Sequence, residues 1–127
     1  MKREIKFRGK RVDNKKWVYG DLLHRLGLTE IYQASGTMPV IPESIGQFIG
    51  LLDKNGVEIY EGDILYYRYN DELEADGYGE VYNEVVFKDG AFGIMGEITN
   101  EFLSFSCNPI KTEVVAGNIH DYPELLK

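Results

Sequence analysis

Three carboxylates lie close together in the middle of the chain, at Glu58, Glu61 and Asp63. Carboxylate oxygens bind divalent cations, and two of them can act as a general acid and base. Either role requires the oxygens to converge, whereas residues 58 and 61 point to opposite faces of an extended strand. No EF-hand spacing is present. We therefore favour a solvated turn in which Asp63 accepts hydrogen bonds from local backbone amides.

The candidates for a general base near neutral pH are His24 and His120. A hydrolase site would also need an activated hydroxyl. The serines lie outside any nucleophile-elbow context, at Ser35, Ser44, Ser104 and Ser106. We therefore expect both histidines at surface or edge positions.

Cys107 is the only thiol, which excludes an intramolecular disulfide and a thiolate zinc cluster. With no base near it in sequence, we interpret Cys107 as a packed thiol. The repeat Gly90-x-x-Gly93-x-x-Gly96 lacks the Lys-Ser/Thr end of a phosphate loop and favours a hairpin in which glycines relieve crowding. The sequence thus predicts no catalytic residue, no metal site, no cofactor and no enzyme activity.

The net charge of -7 is unevenly distributed. Residues 1–20 hold eight basic and two acidic side chains, a net +6, and residues 58–84 hold nine acidic side chains against Arg68, a net −8. The basic stretch includes Phe7, Trp17 and Tyr19 and could contact nucleic acid through phosphates and stacked bases. Its alternation is typical of an ordinary amphipathic strand, and the net acidity argues against nucleic acid. Contact between subunits is therefore the main hypothesis, and nucleic-acid contact stays an alternative.

These residues must be positioned by strands, because aromatic and β-branched residues are frequent and glycines recur at short intervals. Proline cannot donate to a ladder, so Pro39 and Pro42 place residues 27–42 at an edge or in a loop. Residues 70–79 read as an exposed acidic loop, residues 101–106 are ambiguous, and Asp121 begins a closing helical turn. Strands are predicted at 4–8, 17–23, 47–52, 57–60, 64–69, 80–88, 91–95 and 112–119, with turns at 13–16, 55–56 and 89–90.

The chain of 127 residues, 43% of them hydrophobic, is long enough for one domain with its own core. Short strands with frequent turns predict a mainly β fold, a small barrel or sandwich. The basic N-terminus is not followed by an apolar run, and no apolar window reaches membrane-spanning length, so we expect a cytoplasmic protein without membrane contact. The residues expected to be mostly buried are Trp17, Phe48, Ile59, Ile64, Val86 and Val115.

Six segments, taken together and in order, resemble the YopX family of phage and prophage proteins. They are 5–10 (IKFRGK), 17–22 (WVYGDL), 41–50 (IPESIGQFIG), 53–56 (DKNG), 58–64 (EIYEGDI) and 115–119 (VAGNI) with 123–126 (PELL). The resemblance implies a mainly β fold with an SH3-like barrel in residues 46–127 and an N-terminal β portion, residues 1–45, packed on it. It also implies a phage- or prophage-derived gene in a bacterial host. It implies no activity, cofactor or catalytic residue.

The function predicted on these grounds is a non-enzymatic, self-associating interaction module. One alternative is a nucleic-acid-binding accessory protein that uses the basic N-terminal hairpin. The other is an acidic inhibitor that occupies the DNA site of a host protein.

Overall fold

The computed structural model describes residues 4–96, 101–107 and 109–126. Within these ranges strands predominate, and the helical segments are 3-10 turns at Pro42–Ser44 and Pro123–Leu126. No described helix has the length and apolar character needed to cross a membrane. The strands are β1 (Phe7–Lys10), β2 (Trp17–Arg25), β3 (Leu28–Gln33), β4 (Gly36–Pro39), β5 (Gly46–Leu52), β6 (Glu58–Tyr60), β7 (Asp63–Asn70), β8 (Tyr78–Lys88), β9 (Ala91–Met95), β10 (Phe102–Ser104) and β11 (Val114–Asn118).

The chain folds into two compact units, residues 1–50 and 51–127. Its strands form two antiparallel sheets, with the orders β4-β3-β2-β1-β5-β6 and β10-β9-β8-β7-β11. Among the described residues both sheets are open, so the mainly β prediction is confirmed and the barrel prediction is wrong. Closure requires the outermost strands to pair, and turn spacing, from which the barrel was predicted, does not determine that pairing.

The N-terminal unit is built from β1 to β4 and most of β5. Strand β1 pairs with β2 as predicted, and β2, β3 and β4 follow as successive antiparallel neighbours. The stretch predicted as edge or loop therefore forms a hairpin, and its second strand, β4, is indeed an edge that ends at Pro39. Val18, Ile31 and Val40 form the core of this unit.

The C-terminal unit is dominated by the long β7–β8 hairpin, continued by β9 and β10 on one side and β11 on the other. Ile59, Ile64, Leu65 and Val85 are each at most 1% exposed. The predicted turn at 89–90 is confirmed, with Asp89 and Gly90 both at positive φ (54° and 78°). The turn at 55–56 is confirmed as well, since the amide of Gly56 donates to the carbonyl of Asp53 at 3.0 Å.

The six residues predicted to be mostly buried differ in degree. Phe48, Ile59 and Ile64 are buried, and Trp17, Val86 and Val115 are partly buried. Trp17 lies on the face of β2 that points away from Val18, and basic side chains cover its ring.

Candidate interaction surfaces

The carboxylates singled out in the sequence lie in β6, the turn after it and the first position of β7. Asp63 is 2% exposed, and its Oδ2 accepts a hydrogen bond from the Tyr60 amide at 2.8 Å. The Tyr60 hydroxyl donates to Glu58 Oε1 at 3.1 Å. Asp63 therefore binds a backbone amide as predicted, but the prediction of a solvated position is wrong. In the described ranges, no three His, Cys, Asp or Glu side chains are arranged to hold a metal ion.

A more extensively bonded carboxylate, Asp53, was not singled out in the sequence. It is 6% exposed and accepts three backbone hydrogen bonds, from Asn55 and Val57 at Oδ1 (2.8 and 2.9 Å) and from Val115 at Oδ2 (2.9 Å). Burial opposes its ionisation, but these amides outweigh burial and hold the pKa of Asp53 below its ordinary value. The Asn-Gly turn could have pointed to the two local bonds. The bond from Val115 has no signal in the local sequence.

The hydrogen bonds of the two histidines and of Ser44 are structural: Ser44 Oγ, for example, accepts the Lys10 amide at 2.8 Å. His24 is exposed as predicted, with Nδ1 3.3 Å from Thr29 Oγ1 across the β2–β3 pair. His120 follows the edge strand β11, is half-buried, and donates its backbone N–H to Asn118 Oδ1 at 3.0 Å. Ser44 Oγ donates to the Ile41 carbonyl at 2.6 Å, which is a structural role. In the closing turn the side chain that accepts backbone amides is Asn118, and not Asp121. Its Oδ1 accepts the Asp121 amide at 2.9 Å as well as that of His120.

Cys107 is exposed, so the prediction of a packed thiol is wrong. It lies in the turn after the short strand β10, where the chain leaves the sheet. The glycine interpretation is confirmed at Gly93, where a Cβ atom would collide with the Leu103 carbonyl and the Phe102 ring.

The basic side chains of β1, and Lys6 just before it, lie against aromatic rings. The guanidinium carbon of Arg8 lies 4.6 Å from the Trp17 ring centroid, and Lys10 Nζ lies 5.6 Å from it. Lys6 Nζ lies 5.3 Å from the Phe48 centroid. Because Arg8 is only 6% exposed, its guanidinium is not presented to a phosphate backbone.

An exposed basic part of the N-terminal unit is the turn between β1 and β2, residues 12–16, which we call the basic turn. Arg11 Nη2 pairs with Asp13 at 2.6 Å, and this hydrogen bond lowers the pKa of Asp13. Since Arg11 and Asp13 balance each other, Lys15 and Lys16 set the charge of the turn, and both are exposed. Val12 beside them is 52% exposed.

Negatively charged side chains are clustered at the loop between β7 and β8 and the start of β8, residues 71–80, which we call the acidic hairpin end. The loop is closed by the Asp71 amide donating to the Gly77 carbonyl at 2.9 Å. Within the loop, Asp71 Oδ1 accepts the Leu73 amide and Asp76 Oδ1 accepts the Tyr78 amide, each at 3.0 Å. Leu73 is 95% exposed. The exposed carboxylates of this end belong to Glu72, Glu74, Asp76 and Glu80.

Comparison with known proteins identifies a family and solved structures that resemble this chain. The family model described as "YopX protein" matches residues 6–127. The crystal structure of protein EF1440 from Enterococcus faecalis superposes with a TM-score of 0.62 at 26% identity, and the alignment covers 99% of this chain and 100% of that one. No match is found among curated proteins.

Proposed function

The chain belongs to the YopX family, and from this premise we propose that it is a non-enzymatic interaction module that associates with copies of itself. It would act in the cytoplasm of a bacterium that carries the phage or prophage. The SH3-like character that the resemblance implies for residues 46–127 is part of the same proposal, because small domains of that type bind partner chains.

The observation that carries the proposal is Leu73 at the acidic hairpin end. This leucine is 95% exposed and stands between the exposed Glu72 and Glu74. A single exposed apolar residue is ordinary on a protein surface. Here, however, it stands at the tip of a loop held by internal hydrogen bonds, so it is presented in a defined place.

The basic turn is the complementary surface. It offers the exposed Lys15 and Lys16 together with Val12, which is 52% exposed. Each surface therefore combines charge of one sign with an apolar side chain. A contact between the acidic hairpin end of one copy and the basic turn of another pairs opposite charges and covers both apolar groups.

The two kinds of interaction contribute differently. Exposed ion pairs add only about 0 to 1 kcal/mol each, but opposite patches speed encounter and fix orientation. Burial of a leucine side chain is worth about 1.5 to 3 kcal/mol. If two copies make this contact reciprocally it closes a two-fold dimer, and if each copy uses its two surfaces on different neighbours it produces a ring or a chain of subunits.

The acidic hairpin end also supports the alternative of an inhibitor, because clustered exposed carboxylates can occupy the DNA site of a host protein. The nucleic-acid alternative is weaker, since Arg8 is buried and, among residues 4–20, the exposed basic side chains are Lys15 and Lys16 in the turn.

Sedimentation of the full chain at two salt concentrations tests the proposal. We expect an oligomer that survives moderate salt and assembles faster at low salt, because salt screens the ion pairs but not the apolar contact. The double variant Lys15→Glu/Lys16→Glu should raise the dissociation constant by about tenfold or more, which is about 1.4 kcal/mol or more.

Lys88→Glu/Lys111→Glu is the matched control, because it makes the same charge change at exposed positions outside both surfaces. It should leave the oligomer intact. A 14.5 kDa monomer at both salt concentrations would refute self-association.

A further inference from the structure

A cavity of about 600 Å³ opens at the acidic hairpin end. Its walls include two tyrosines, Tyr69 and Tyr78, and three acidic residues, Glu74, Asp76 and Glu80, and no basic side chain lines it. The volume lies within the range of ordinary ligand sites, roughly 300 to 1,000 Å³. The cavity is therefore large enough for a side chain and its flanking backbone.

The tyrosine walls are not part of the hydrophobic core. Tyr69 is 39% exposed and Tyr78 is 46% exposed. The Tyr69 ring lies across Gly79, where an added Cβ atom would collide with the ring. The missing side chain at Gly79 thus leaves room for this ring at the cavity wall, and the face of an aromatic ring attracts cations.

Arg68 already shows the chemistry that this hairpin end favours. Its guanidinium carbon lies 4.3 Å from the Tyr78 ring centroid, and its Nη2 lies 3.8 Å from Asp76 Oδ2. One cation is thus held by a tyrosine face and a carboxylate together. Neither Glu74 nor Glu80 forms an ion pair with any residue that the structure describes, although the Tyr66 hydroxyl donates to Glu80 at 3.2 Å.

We infer that this cavity receives one basic side chain of a partner chain, with its ammonium or guanidinium group against Tyr69 and close to Glu74 and Glu80. The inference rests on the proposed function, because it specifies which groups of the acidic hairpin end bind the partner. An anionic ligand is disfavoured by the three carboxylates. A metal ion is disfavoured because the described acidic side chains do not converge on one point.

An NMR titration of the full chain tests the inference with the capped amino acids N-acetyl-lysine methylamide and N-acetyl-arginine methylamide, at constant ionic strength. Either cation should shift the backbone amides of Tyr69, Tyr78 and Gly79 saturably, with a dissociation constant on the order of 10 mM. The norleucine analogue matches lysine in shape but lacks the charge, and it should produce no saturable shift.

Variants with a matched control sharpen the test. Glu74→Gln should weaken binding about threefold or more, whereas Glu72→Gln removes the same charge two residues away, outside the cavity wall, and should leave binding unchanged. Gly79→Ala should abolish binding by displacing the Tyr69 ring, and the rest of its spectrum shows whether the fold is kept. Equal weakening by Glu72→Gln and Glu74→Gln, or equal shifts with norleucine, would overturn the inference.

Failure of this inference is distinguishable from failure of the proposed function. If the chain sediments as a monomer while the cations still bind at the cavity, self-association is refuted and the cavity assignment stands. If the chain self-associates while no cation binds, the cavity assignment is refuted and self-association stands.

Discussion

Two acidic turns of the C-terminal unit contain the same local hydrogen bond, from a backbone amide to an aspartate side chain, but they differ in burial. Asp53 and Asp71 each accept the amide of the residue two positions ahead, Asn55 and Leu73, at 2.8 and 3.0 Å. Asp53 is buried and also receives the amide of Val115 from β11. Asp71 makes bonds only within its loop, and the carboxylates around it stay exposed.

These two turns differ in whether the backbone amide of a distant strand also reaches the carboxylate. Where a backbone amide from another strand reaches the carboxylate, the charge serves the fold. Where none does, as along the acidic hairpin end, the carboxylates stay exposed.

The largest expected effect follows removal of the Asp53 carboxylate. Asp53→Ala leaves three backbone amides of the fold without their acceptor, and each such buried group costs about 1 to 3 kcal/mol. We expect the free energy of unfolding, measured by urea denaturation, to fall by at least about 3 kcal/mol.

Asp71→Ala is the control, because it removes one bond in an exposed loop. It should cost about 0.5 kcal/mol. Similar losses for the two variants would show that the Val115 bond does not separate these turns.

The sequence predicted the features that depend on a few neighbouring residues, and it did not predict those that depend on contacts between residues far apart in the chain. The turns at Asn55-Gly56 and Asp89-Gly90 need residues that tolerate positive φ, so they could be predicted. Sheet closure, the full length of the strand Leu28–Gln33 (of which only residues 31–32 were expected to be extended) and the exposure of Cys107 depend on which strands lie alongside, and these were missed. The acidic loop was predicted, but its cavity was not, because the cavity arises from the Tyr69 ring meeting Gly79 across the β7–β8 pair.

The second effect is a pH dependence. The folded pKa of Asp53 lies below its ordinary value, so the ionised carboxylate adds stability above about pH 4, and this contribution disappears as pH falls toward the folded pKa. Asp53→Asn should therefore cost about 2 kcal/mol near neutral pH and progressively less below pH 4.

Comparing Asp53→Asn with the unmodified chain isolates Asp53. Burial raises the pKa of Glu84, which acts in the opposite direction, but Glu84 is common to both proteins and cancels in the difference. A difference in unfolding free energy that is unchanged down to pH 3 would contradict the assignment.

The smallest effect concerns the exposed leucine. Leu73→Ser should change the free energy of unfolding by no more than about 0.5 kcal/mol, because the side chain is 95% exposed. It should nevertheless weaken self-association about tenfold, since the leucine is buried only in the contact. Leu26→Ser is the matched control, because Leu26 is 96% exposed in the β2–β3 turn, outside both surfaces. An equal effect of the two changes in sedimentation would exclude Leu73 as a specific contact.

The bond between Asp53 and Val115 also sets an order of events during synthesis on the ribosome. Its two ends are 62 residues apart, and at roughly 5 to 20 residues per second the donor follows the acceptor by about 3 to 12 s. In the N-terminal unit, the pairings of β1 to β4 join strands that are consecutive in sequence and need no such wait. Throughout the interval the Asp53 carboxylate has only the Asn55 and Val57 amides, so the turn that starts the C-terminal unit is among the last parts of that unit to be completed.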